Sequence, residues 1–173
     1  MKIEKELTKE FKKEFLETHF YYEVTMFLNT FFKMYRYQLK ADAKDFSNEL
    51  LRVVFLETFM LHTRNLIEFF YYKNRNEQSS VTDFIEILKW RKLKSKKFKG
   101  LDVLYSRICS DISHLTYDRK PIDTTKSWDT DIFSHVFILI EIFLNEILLE
   151  IESDKLKVLL YNIGEYKKGV IIS

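Results

Sequence analysis

Apolar residues return every three or four positions through most of the chain, the period of helices with one buried side. The first run covers about residues 3–18, a charged amphipathic helix with Leu7, Phe11, Phe15 and Thr18 along one side. From His19 to about Leu39 apolar and aromatic residues dominate, and the helix is expected to continue or kink there. Residues 41–48 form the first break, with Asp45 placed to cap the next helix. That helix is predicted over Phe46–Tyr72. It is apolar on nearly every side between Leu50 and Met60, which predicts a central, buried rod. Residues 73–80 read as a loop, and Ser80 is placed to cap a short helix from Val81 to Trp90, with Asp83 in its first turn. Pro121 ends any helix in the 118–129 loop, and Asp129 or Thr130 caps a helix from about 131 to 152. Ser134, Glu141, Asn145 and Glu152 make a narrow polar stripe on it. The remaining arc is wide enough to imply burial on more than one side or contact with a second copy. After Lys155 a short helix is predicted, then a small strand at Val170–Ile172 with no evident partner.

Polar residues that interrupt these patterns carry the candidate chemistry. Glu57, Arg64 and Glu68 share a side of the 46–72 helix, and Arg64 and Glu68 are spaced to pair. Two readings stand: a partly buried ion pair that fixes helix packing, or an Arg64 that points toward the same cleft as His114 and joins its site. His62 is off that side and is read, like His19 and His135, as packing. The run 89–100 holds Lys89, Arg91, Lys92, Lys94, Lys96, Lys97 and Lys99, with no acid between Glu86 and Asp102. Such a run is either a solvated loop or a phosphate-backbone contact, which needs closely spaced cations and no fixed sequence. Gly100 marks the turn after it.

Arg107–Lys120 is the next segment. Arg107 and His114 are seven positions apart, almost two helical turns, with Asp111 between them and Asp118 beyond. Leu101, Leu104, Ile108, Ile112 and Leu115 form a separate apolar stripe that should face the core. Histidine suits proton transfer near neutral pH, and arginine grips a phosphate with two donors at once. Arg107 with His114 is therefore sufficient as half of a site that cleaves RNA without a metal, with Asp111 orienting the imidazole. The same stripe also fits a hydrogen-bonded network that holds helices in register.

An Arg followed by a His near the end of a helix resembles the active-site signature of HEPN domains, compact helical domains that include many ribonucleases. The segments Arg64–Phe70 and His114–Tyr117 resemble bacterial members of that group. The residue after the family's Arg is usually polar, and here it is Ile108. The resemblance implies a second half-site from a symmetry mate and a cleft on the dimer axis.

With only 3 Gly and 1 Pro, the chain has little turn chemistry, in keeping with an all-α fold. At 173 residues it reads as one domain, 1–173. The net charge of +2 selects no partner class. Cys109 is alone, so no disulfide framework or thiolate cluster is expected, and a reducing cytoplasm fits. The N-terminal residues are charged throughout, and Ile132–Ile151 is too polar to span a bilayer. No phosphate loop, nucleophile elbow or metal-spaced histidine pair is found, and no cofactor is expected. The expectation is an all-α, up-and-down, HEPN-like bundle of four or five helices. Its expected function is metal-independent RNA cleavage in a toxin–antitoxin or phage-defence setting. RNA, a second copy and an antitoxin or regulatory protein are the expected partners, with no membrane. A catalytically silent module that binds nucleic acid, nucleotide or protein is the alternative.

Overall fold

The computed structural model describes residues 7–40, 46–71, 79–94, 101–109 and 130–171. All regular structure among them is helical. Helix α1 (Lys9–Phe15) passes through a π turn (Leu16–Phe20) into α2 (Tyr21–Lys40). Then come α3 (Phe46–Tyr71), a 3-10 turn (Val81–Asp83), α4 (Ile87–Leu93), α5 (Leu101–Arg107), α6 (Thr130–Ile147) and α7 (Asp154–Ile171).

Thr8 starts α1 by accepting the amide of Phe11 at 3.2 Å. At the π turn Thr18 Oγ1 donates to the carbonyl of Glu14 at 2.7 Å, competing with the regular ladder. The wider turn carries both Leu16 and Phe20 into the core. This changes the face expected from spacing: Phe11 and Thr18 are exposed, and Phe15 is only half-buried, against Phe84.

Helices α2 and α3 pack antiparallel, with Glu23 beside His62, Phe27 stacked on Phe59 and Lys33 over Phe55. Helix α6 lies across both. Phe133 stacks on Phe27 and Phe31, while Phe143 meets Phe20, Phe69 and Phe70. The apolar arc of α6 is thereby used inside the chain: Ile132, Phe133, Val136, Phe137, Leu139, Ile140, Phe143, Leu144 and Ile147 are all buried. Burial on more than one side accounts for most of its width, while Ile138 stays exposed. Helix α7 runs alongside α2, tied by Ser153 to Glu17, Lys155 over Tyr21 and Tyr166 stacked on Phe32.

Several expectations are corrected. Helix α3 is not buried all round. Leu56, Phe59 and Met60 are buried, but Leu50, Leu51 and Val54 are exposed, because among the described residues the neighbouring helices cover one side only. The predicted helix Val81–Trp90 is two elements. Ser80 and Asp83 cap the 3-10 turn reciprocally, Phe84 and Ile85 drop into the core, and Glu86 recaps α4 by accepting from Leu88 and Lys89 amides. Helix α6 ends at Ile147, leaving Glu152 outside it, and Ser153 Oγ accepts the Leu156 amide to begin α7. Positions 170 and 171 lie in α7, not in a strand, since the 3.6-residue apolar period runs on through Gly164. The Asp45 cap, the 118–129 loop, Gly100 and Asp129 lie outside the described residues.

Candidate functional site

Helices α3 and α5 meet through a polar cluster. Arg64 Nε donates to Glu68 Oε1 at 2.8 Å, and the hydroxyl of Tyr105 donates to that same oxygen at 2.6 Å. The guanidinium is held more firmly protonated than usual, first by its hydrogen bond to Glu68. Burial and then the Glu68 carboxylate push the Tyr105 phenol well above its ordinary range, so the phenol stays a donor. Cys109, one turn after Tyr105, borders the cluster in the π turn that succeeds α5. Leu101 and Ile108, one turn before and after Tyr105 on the same side of α5, are both fully buried and anchor it.

Of the candidate site residues, Arg64 is therefore brought to Tyr105 and Glu68. Arg107 closes α5, but its side chain, Asp111 and His114 lie outside the described residues. A helix turns by about 100° per residue, so position 107 falls on the opposite side of α5 from position 105. Of the apolar stripe, the side chain of Leu104 and all of Ile112 and Leu115 lie outside the described residues.

The basic run begins on a helix. Lys89 pairs with Glu146 and lies 3.9 Å from Glu150, which holds its charge firmly. Two acids at the C-terminal end of α6 oppose the helix dipole, and Lys89 offsets them. Lys94 lies 4.7 Å over the ring of Tyr71. Arg91 and Lys92 are exposed. Lys96, Lys97 and Lys99 lie outside the described residues.

His62, buried between α2 and α3, is hydrogen-bonded through Nδ1 to the accepting Glu23 Oε2 at 2.7 Å, and Asn65 donates to that oxygen at 3.1 Å. His135 is stacked on Tyr71 with its Nε2 hydrogen-bonded to the hydroxyl at 2.6 Å, and burial lowers its pKa. His19 is exposed, its ring 5.3 Å from Phe15. Sequence reasoning missed Tyr105, Glu23 and Tyr71. Nothing local marks them, because each partner is distant in the chain. Among the described residues no group of three or more His, Cys, Asp or Glu gathers as a metal site, and no helix is long and apolar enough to cross a membrane. No protein-family profile, curated protein or solved structure matches the chain.

Proposed function

We propose that this all-α domain binds RNA and cleaves it without a metal, with Arg107 holding the phosphate and His114 moving the protons. The carrying observation is the setting of α5. Leu101 and Ile108 sink into the core and Tyr105 is bonded to α3, so the backbone that presents Arg107 is anchored. Exposed Arg91 and Lys92 on α4, shortly before it, offer phosphate contacts. The resemblance of Arg64–Phe70 and His114–Tyr117 to HEPN domains supports the same reading, and with it a two-fold dimer and a role in a bacterial toxin–antitoxin or phage-defence system. Most of the arc of α6 is filled from within, although Ile138 is exposed, so the proposed dimer draws on another surface. Among the described residues the exposed aliphatics of α3 offer an open stripe for it.

The second reading, a catalytically silent binding module, draws on one observation. Arg64, His62 and His135 are each bonded inside the fold, as helix-packing groups would be. Incubating the protein with mixed RNA in EDTA separates the two. Cleavage that leaves 2′,3′-cyclic phosphate ends supports the nuclease. Binding with intact RNA supports the silent module.

A further inference from the structure

We propose that Tyr71 and His135 act as a relay that takes the proton from an RNA 2′-hydroxyl, with Lys94 drawing in the adjacent phosphate. This rests on the nuclease reading and deepens it, since it gives one of the two proton transfers to groups outside the Arg107–His114 stripe. Three elements converge at the pair. The Tyr71 hydroxyl at the end of α3 and His135 Nε2 on α6 are hydrogen-bonded at 2.6 Å, with ring planes 13° apart. Lys94, the C-cap of α4, carries its ammonium 4.7 Å over the Tyr71 ring. Each of the three is half-buried, so the fold holds the pair in place while it still borders water. Arg64, Glu68 and Tyr71 fall within roughly 60° of one another around α3. Tyr71 therefore stands less than one turn beyond the carboxylate that receives Tyr105 from α5.

Cleaving RNA through its own 2′-hydroxyl takes two proton transfers in opposite directions. They suit two groups, one that begins neutral and one that begins protonated. Burial lowers the pKa of His135, which keeps the imidazole neutral near pH 7, the state from which a base starts. The relay uses the tautomer with the proton on Nδ1, so that Nε2 accepts from the phenol. The 2′-hydroxyl gives its proton to the Tyr71 oxygen as Tyr71 passes its own to Nε2. The 2′-oxygen bonds to phosphorus, the bond to the 5′-oxygen breaks, and that oxygen takes a proton from protonated His114. A 2′,3′-cyclic phosphate is left. The cation over the phenol ring stabilises negative charge that builds on the phenol oxygen during the transfer. Helix α4 leads RNA to the pair, because exposed Arg91 and Lys92 precede Lys94 on it. All of these groups belong to one chain, so the relay itself needs no second copy.

The test is cleavage of mixed RNA in EDTA by the full chain, comparing wild type with Tyr71→Phe, His135→Ala, the double variant and His114→Ala. Circular dichroism melts report folding, and Tyr71→Phe keeps the ring under Lys94 should His135→Ala fail to fold. Tyr71→Phe and His135→Ala are each expected to lose about 10²-fold in kcat with KM near wild type. The double variant should lose no more than the worse single one, because the two groups serve one transfer. Free imidazole should restore part of the rate to His135→Ala and none to Tyr71→Phe, a rescue that a packing role does not give. Tyr71→Phe and His135→Ala that cleave within a few-fold of wild type, while His114→Ala does not cleave, overturn the relay and leave the nuclease reading standing. Lost cleavage with a lower melt and no imidazole rescue also overturns it and makes the pair a packing contact. Wild type that leaves RNA intact overturns both.

Discussion

Tyr105 and Glu68 meet oxygen to oxygen at 2.6 Å, and Arg64 reaches the same Glu68 oxygen at 2.8 Å. One carboxylate thus ties α5 to α3. A hydrogen bond to a charged group contributes more than a neutral one, but Arg64 and Glu68 keep part of their side chains in water, which screens the pair. Tyr105→Phe, which removes only the donor, is expected to cost about 1–2 kcal/mol. For a chain of this size that is a melting temperature lower by about 2–8 °C. An unchanged melt would show that Tyr105 contributes only packing.

The burial of His135 gives the fold a pH dependence whose sign can be worked out. Burial lowers its pKa, so the unfolded chain takes up the proton more readily than the folded one. The stability this group contributes is complete above the ordinary histidine pKa of about 6.5 and is lost as the pH falls through it. Wild type should therefore lose more melting temperature than His135→Gln between about pH 7.5 and pH 5.5. Equal losses would assign the acid sensitivity to carboxylates instead.

Periodicity made the helical class legible, and so were local pairs such as Arg64 with Glu68, four residues apart, and the Ser80–Asp83 cap. Relations across the fold were not. The width of the apolar arc on α6 left open whether this chain or a second copy fills it; Phe27, Phe31 and Phe143 with its neighbours answer that in three dimensions. Leu50 and Val54 looked like core because a helix read alone does not show which of its sides has neighbours. The π turn at Leu16–Phe20 shifted a face that strict 3.6-residue counting had assigned to Phe11. For the candidate site, the stripe itself is a sequence pattern, while the anchoring of α5 by Tyr105 depends on a residue 37 positions away.

The proposed dimer now has a definite surface to test. Leu50, Val54 and Leu61 lie within roughly 40° of one another around α3 and are 53%, 47% and 43% exposed. Specific interfaces bury roughly 1,200–2,000 Å² in total, so polar neighbours must join this stripe. Light scattering at micromolar concentration should give twice the chain mass for wild type and the single mass for Val54→Arg/Leu61→Glu. A wild-type monomer would remove the composite site. A dimer that survives both substitutions would move the interface off α3.

The proposed chemistry is tested by separating activity from stability. If His114 transfers protons, His114→Ala should remove about 10²–10⁴-fold of the cleavage rate, the usual worth of one positioned acid or base. Folding and RNA binding should stay near wild type. If His114 instead belongs to a buried hydrogen-bonded network, the order reverses, and the same substitution strands its partners at a cost of roughly 1–3 kcal/mol. Arg107→Lys sharpens the contrast, because lysine keeps the charge and loses the two-pronged grip on phosphate. It should melt like wild type and cleave poorly. Arg64→Lys supplies the internal control. Arg64 is engaged by Glu68, on the other side of α5 from position 107, so this change should lower the melting temperature slightly and leave the cleavage rate within a few-fold. Losing cleavage in Arg64→Lys while Arg107→Lys stays active would place the working arginine on α3. Wild-type protein that leaves RNA intact in EDTA, with both His114→Ala and Arg107→Lys melting several degrees lower, would end the nuclease proposal and leave the stripe as a packing network.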